Sequence, residues 1–118
     1  MKRVVYIAGP FRAANHWLIE QNIRRAEEAA LEVWTLGAMA FCPHLNTAHF
    51  QDVLPDDTWL EGDIEILKRC DAVLMVEGWT NSEGAKREYG VAQEYEIPCF
   101  VSIDELKDWL NKEGEDNA

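Results

Sequence analysis

Basic residues are scarce. The 118-residue chain carries 11 Lys and Arg against 22 Asp and Glu, a formal net charge of −11. A chain this acidic is a poor general partner for a nucleic acid polymer, whose backbone is anionic, and for an anionic membrane surface. A small anionic ligand held by a local positive site stays open. Cysteine is also sparse: Cys42, Cys70 and Cys99 are odd in number, widely separated and fit no zinc spacing. They read as reduced, mostly buried thiols, which points to the cytoplasm. Long apolar runs are missing. Val4 to Ala8 is only five residues long before Gly9-Pro10, too short for a signal peptide or a membrane span. The first loop has Gly9 as its sole glycine, so no G-x-G-x-x-G dinucleotide fingerprint exists, and the lysine–serine pair of a P-loop is absent. No internal repeat or linker interrupts the chain. One domain is expected over residues 1–110, followed by a charged, frayed tail over 111–118.

What is present is enough apolar material for a core: 47% of residues, with 10% aromatic. Val4-Val5-Tyr6-Ile7-Ala8 is a continuous β-branched and aromatic run, the mark of a strand buried on both faces. From Trp17 to Leu36 the residues Ile19, Ile23, Ala26, Ala30 and Val33 recur at three- and four-residue steps, which predicts an amphipathic helix. Ala38 to Cys42 reads as a short second strand and His44 to Leu54 as an irregular segment. Pro55-Asp56-Asp57 opens a second helix to about Arg69. Ala72 to Val76 is a third strand. Ser82 is a good N-cap for a helix reaching Tyr95. Pro98 to Ser102 is a fourth strand, and Ile103 to Leu110 a closing helix. Trp34 and Trp109 are expected to pack. Strands alternating with helices imply α/β architecture: a flavodoxin-like three-layer sandwich with a parallel four- to five-stranded sheet, order 2-1-3-4. Ligands should then bind beyond the C-terminal ends of strands 1 and 3, at the loops Gly9 to Asn15 and Glu77 to Ser82.

Two carboxylates stand where core residues should be. In the second helix Trp59, Asp63, Ile66 and Cys70 form one row beside Leu60, Ile64 and Leu67. Asp63 therefore falls inside the apolar stripe, while Glu61, Glu65 and Lys68 fall outside it. In the third helix Ala85, Glu88, Ala92 and Tyr95 share a stripe, again with a carboxylate on the inward face. A half-buried carboxylate costs several kcal/mol unless it is paired or functional. One alone suggests a structural ion pair, to Arg12 or Arg69; two beside the same predicted crevice suggest a site. Ser82 to Glu88 reads S-E-G-A-K-R-E. Its hydroxyl, free N–H groups and Gly84 make an anion-accepting helix N-terminus, and Gly9-Pro10-Phe11-Arg12 brings a cation to the same crevice.

These segments resemble the nucleoside 2-deoxyribosyltransferase superfamily. Tyr6 to Pro10, Y-I-A-G-P, is similar to its opening motif. Asp63 to Leu74, D-I-E-I-L-K-R-C-D-A-V-L, is similar to its middle motif, and Ser82 to Ala92, S-E-G-A-K-R-E-Y-G-V-A, to its third. The resemblance spans Val4 to Val101. It implies an enzyme acting at an N-glycosidic bond without a cofactor, and an assembly of two or more copies. Glu88 would be the nucleophile, Asp63 would orient the sugar and serve the departing base as acid, and Tyr6 would hold Glu88 by its hydroxyl. Ser82 and Arg12 match phosphate-binding positions of the branch that hydrolyses nucleoside 5′-monophosphates. Both point to a 5′-phosphorylated substrate.

The chemistry suits these residue types. Cleaving the C–N bond develops oxocarbenium charge that a facing carboxylate stabilises, and attack by Glu88 gives a glycosyl ester that water or a second base resolves. Gly9, Phe11, Asn15 and Trp17, in the first loop and at its edge, are expected to line the substrate pocket. Trp79 would stack on a base or pack as a lid. His44 and His49, five residues apart, use a spacing known in zinc sites but lack further ligands. Base or phosphate contact, or loop packing, is the reading retained, and no metal is assigned. Cys42 to Phe50, C-P-H-L-N-T-A-H-F, resembles a smaller subgroup of phage and bacterial relatives, and the first loop, F-R-A-A-N, lacks the second glycine of the hydrolases. Two alternatives remain: an NAD glycohydrolase-like enzyme, and a non-catalytic nucleotide-binding module.

Overall fold

In the computed structural model, which describes residues 2–47, 50 and 52–116, the β-branched runs become the inner strands of a sheet. The strands are β1 (Val4–Ala8), β2 (Met39–Phe41), β3 (Ala72–Met75) and β4 (Cys99–Phe100). All pairings are parallel, and the order β2-β1-β3-β4 makes a four-stranded flavodoxin-like sheet. Every residue of β3 and all of β1 beyond Val4 are buried. This is why neither strand alternates polar with apolar: helices cover both faces.

The side-chain period of two splits the core into two halves. Val5 and Ile7 of β1, with Ala72 and Leu74 of β3, face one half. There they meet Ala26, Ala30 and Val33 of α1 (His16–Thr35) and Leu106 and Trp109 of α5 (Ile103–Asp116). Tyr6 and Ala8, with Val73 and Met75, face the other half. There they meet Leu67 of α3 (Asp56–Leu67) and Ala92 of α4 (Glu83–Glu94). Burying each large aliphatic side chain contributes about 1.5–3 kcal/mol, and the five apolar α1 positions at helical spacing are all buried.

Several local features differ from the sequence expectation. Pro43–Asn46 forms a short helix, α2, inside the segment read as irregular; proline at its first position suits a helix start. The closing helix does not stop at Leu110 but continues to Asp116, because nothing from Asn111 onward is a proline that would break it. Trp34 is 53% exposed rather than packed, whereas Trp109 packs against Phe100 with the rings tilted and their centroids 5.5 Å apart. The three cysteines are free; Cys42 and Cys70 are buried and Cys99 half-buried. No described helix is long and apolar enough to cross a membrane.

Candidate active site

At the C-terminal ends of β1 and β3 the chain leaves a cavity of about 680 Å³. This is the switch point of the strand order, where an open parallel sheet parts its loops. Gly9 sits at its edge because the strands leave no room for more: a Cβ there would lie 2.7 Å from Cβ of Val76. Gly78, lining the cavity after β3, has φ +91°, a left-handed conformation that favours glycine.

The cavity draws on the loops that follow both central strands and on both flanking helices. From α3 come Asp56, Trp59, Leu60 and Asp63. They lie at steps of three, one and three residues, one face of two helical turns. From α4 and its cap come Ser82, Glu83, Gly84, Ala85 and Glu88. Ser82 caps that helix, its hydroxyl oxygen accepting from the Ala85 N–H at 3.2 Å. A Cβ on Gly84 would find only the Ser82 oxygen, at 4.0 Å, so the backbone there stands open.

Glu88 is 6% exposed and takes its hydrogen bond from the Tyr6 hydroxyl. Tyr6 does not line the cavity. It lies fully buried behind Glu88, its ring 5.8 Å from that of Phe41. Burial pushes Glu88 up to about 8; the Tyr6 hydrogen bond opposes this and the nearby Asp63 charge adds to it. Burial likewise pushes Asp63 to about 6. The Tyr6 phenol is driven upward, first by burial and then by the Glu88 charge, so it keeps its proton and acts as a donor. Among the described residues neither carboxylate has an ion-pair partner. Arg12 instead pairs with Asp56 across the cavity mouth, both side chains exposed.

His44 is also buried at the wall. Its Nε2–H donates to the Pro10 carbonyl at 2.8 Å, and Phe11 packs on its ring at 5.7 Å. Burial lowers its pKa, which keeps the imidazole neutral. With the proton on Nε2, Nδ1 carries the lone pair. Nδ1 is a buried side-chain atom with no partner among the described residues. Among those residues, no cluster of three or more His, Cys, Asp or Glu could hold a metal. His49 lies outside the described residues.

Gly9, Phe11, Arg12, His44, Asp63, Ser82, Gly84 and Glu88 thus converge on one cavity. Three expected neighbours do not line it. Asn15 caps α1, its side-chain oxygen accepting from the Leu18 N–H at 2.9 Å. Trp17 is 71% exposed on that helix. Trp79 turns into the core and packs on Tyr89 at 4.9 Å. The sequence reading missed Asp56, Thr47 and Glu83 and did not separate Trp59 and Leu60 from core. The three-and-four spacing from Asp56 to Asp63 is the signal that finds the α3 set.

A family model described as a domain of unknown function, DUF4406, matches residues 3–101. The chain belongs to this family. The DUF4406 match covers every residue of the cavity. No curated protein matches the chain by sequence. Among solved structures, a 2-deoxyribosyltransferase from the psychrotolerant bacterium Bacillus psychrosaccharolyticus, described as a biocatalyst for synthesis of antiviral and antitumoral nucleosides, is similar in fold. Its TM-score is 0.62 at 18% identity, over 81% of this chain and 69% of that one.

Proposed function

We propose that this DUF4406 chain cleaves the N-glycosidic bond of a (deoxy)nucleoside 5′-monophosphate, with Glu88 as nucleophile. The observation that carries the reading is the Tyr6 hydroxyl donating to a buried Glu88 carboxyl at the wall of a cavity that also presents Asp63. Carboxylates sunk without an ion-pair partner cost stability, and a reaction that needs them offsets that cost.

Glu88 Oε attacks the anomeric carbon as the C–N bond breaks, and the electron pair of that bond leaves with the base. The reacting form is the minor state of the carboxyl pair in which Glu88 is ionised and Asp63 holds the proton, which it gives to the base. The product is a glycosyl ester on Glu88. Asp63, now ionised, takes a proton from water, whose oxygen attacks the anomeric carbon and frees Glu88. A second base in place of water would give transfer. Phe11 and Trp59 offer flat apolar surface to the base. His44, its Nε2–H held by the Pro10 carbonyl and its Nδ1 closed off from solvent, supports the cavity wall. Phosphate falls to Arg12, the Ser82 hydroxyl proton and the open N–H groups of the first turn of α4. Exposed Trp17, Leu31 and Trp34 on α1 support self-association as part of the same reading.

The test is chromatographic. Wild-type protein and Glu88→Ala are incubated with ribo- and deoxynucleoside monophosphates, nucleosides and NAD. Free base from monophosphates with wild type alone supports the reading. Release from NAD alone moves it to a glycohydrolase. Nucleotide binding without base release or base exchange leaves a binding module.

A further inference from the structure

Among the described residues the cavity has one cation in its lining, Arg12, and that cation is already engaged by Asp56. The other charged lining groups are Asp63, Glu83 and Glu88, all acidic. A phosphate dianion entering this site therefore meets a guanidinium that is already paired, with a carboxylate beside it. We infer that Asp56 is a specificity-determining residue: it occupies Arg12 in the empty site and must surrender it to the ligand phosphate. This rests on the proposed monophosphate reading and adds an exchange of ion-pair partners to it.

Three observations support the exchange. The Arg12 and Asp56 side chains are 55% and 61% exposed, so their pairing is weak and easily replaced. A phosphate offers the guanidinium two oxygens and more charge than a carboxylate. Asp56 also has a second reason to be acidic, since it stands in the first turn of α3, where the helix dipole favours a negative charge. It can lose Arg12 and still be stabilised. Asp56 then acts as a threshold: it does nothing to an unphosphorylated nucleoside and weakens every phosphorylated one.

The experiment measures dissociation constants of a deoxynucleoside and its 5′-monophosphate by calorimetry. The full chain carries Glu88→Gln so that no base is released. Asp56→Asn should tighten monophosphate binding three- to tenfold and leave the nucleoside within twofold. Asp57→Asn removes the same charge from the same helix turn without touching Arg12, and should change neither by more than twofold. Arg12→Gln should weaken the monophosphate at least tenfold, and Asp56→Asn added to it should then gain twofold or less. Equal affinities in Asp56→Asn and its parent overturn the inference, as does weaker monophosphate binding, which would make Asp56 a support for Arg12 rather than its competitor. Monophosphate that binds no variant overturns both the inference and the reading beneath it. Tight monophosphate binding with no base release by the wild type removes the catalytic reading alone.

Discussion

Replacing Tyr6 with phenylalanine removes one hydroxyl and little else. The ring is fully buried against Phe41, so Tyr6→Phe keeps the packing and deletes only the donor to Glu88. A hydrogen bond to an ionised acceptor contributes about 1.5–3 kcal/mol. At about 1.4 kcal/mol per pKa interval this moves Glu88 upward by about one to two. From about 8 it would reach roughly 9–10. At pH 7 the ionised share of the nucleophile, and with it kcat, should fall about 10- to 100-fold. The deficit relative to the wild type should close towards about pH 10, where the variant carboxyl is again ionised, while both enzymes slow as Asp63 loses the proton it donates. The assay is kcat for base release followed from pH 6 to 10, with circular dichroism to show that the fold persists. A loss of the same size at every pH would refute the reasoning, since it would mean the hydroxyl serves the substrate and not the Glu88 proton.

Glu88→Gln should make the protein more stable in alkali. The native carboxyl titrates near 8 against an ordinary 4.5, so the folded state holds the extra proton between those values. Its stabilising effect is complete below about 4.5 and is lost as the pH rises through about 8. At pH 9 the variant's melting temperature should exceed that of the wild type by about 4 °C or more, and at pH 4 the two should coincide; an equal or lower value at pH 9 would remove the buried-carboxylate argument. Asn15→Ala should cost about 0.5–2 kcal/mol of stability through the lost α1 cap, with kcat and KM within twofold. A tenfold rise in KM would return Asn15 to the substrate site. Asp63→Asn should slow base departure most for bases that need protonation and least for nicotinamide, already cationic in NAD; equal losses across leaving groups would deny Asp63 the role of acid.

The two carboxylates that line the cavity were legible in the sequence because helical spacing exposes a misfit. Asp63 and Glu88 each interrupt an apolar stripe, and the fold turns both stripes toward the sheet. Sheet order was legible from the unbroken apolar strands and the alternation of elements. Pairing between distant side chains was not. Asp56 looks like an ordinary acidic residue at a helix start, and only the folded loop brings Arg12 to it. Aromatic residues misled for the same reason: Trp79 follows the right strand, yet its direction depends on where Tyr89 sits one helix later. Asn15 precedes His16 and Trp17 as a cap would, but its place in the first loop invites a ligand reading instead.

Tyr6 stands on β1 between Val5 and Ile7, which fill the opposite half of the core. Sliding that strand by one residue would send the phenol to the α1 side and strip Glu88 of its donor while exchanging the two hydrophobic sets. The phenol at the deep end of the site is therefore held in place by the register of the sheet. Arg12, Asp56 and Ser82 hang from loops and helix starts at the rim. Under the proposed function, substitutions at that rim change phosphate preference and leave the register of β1 as it is.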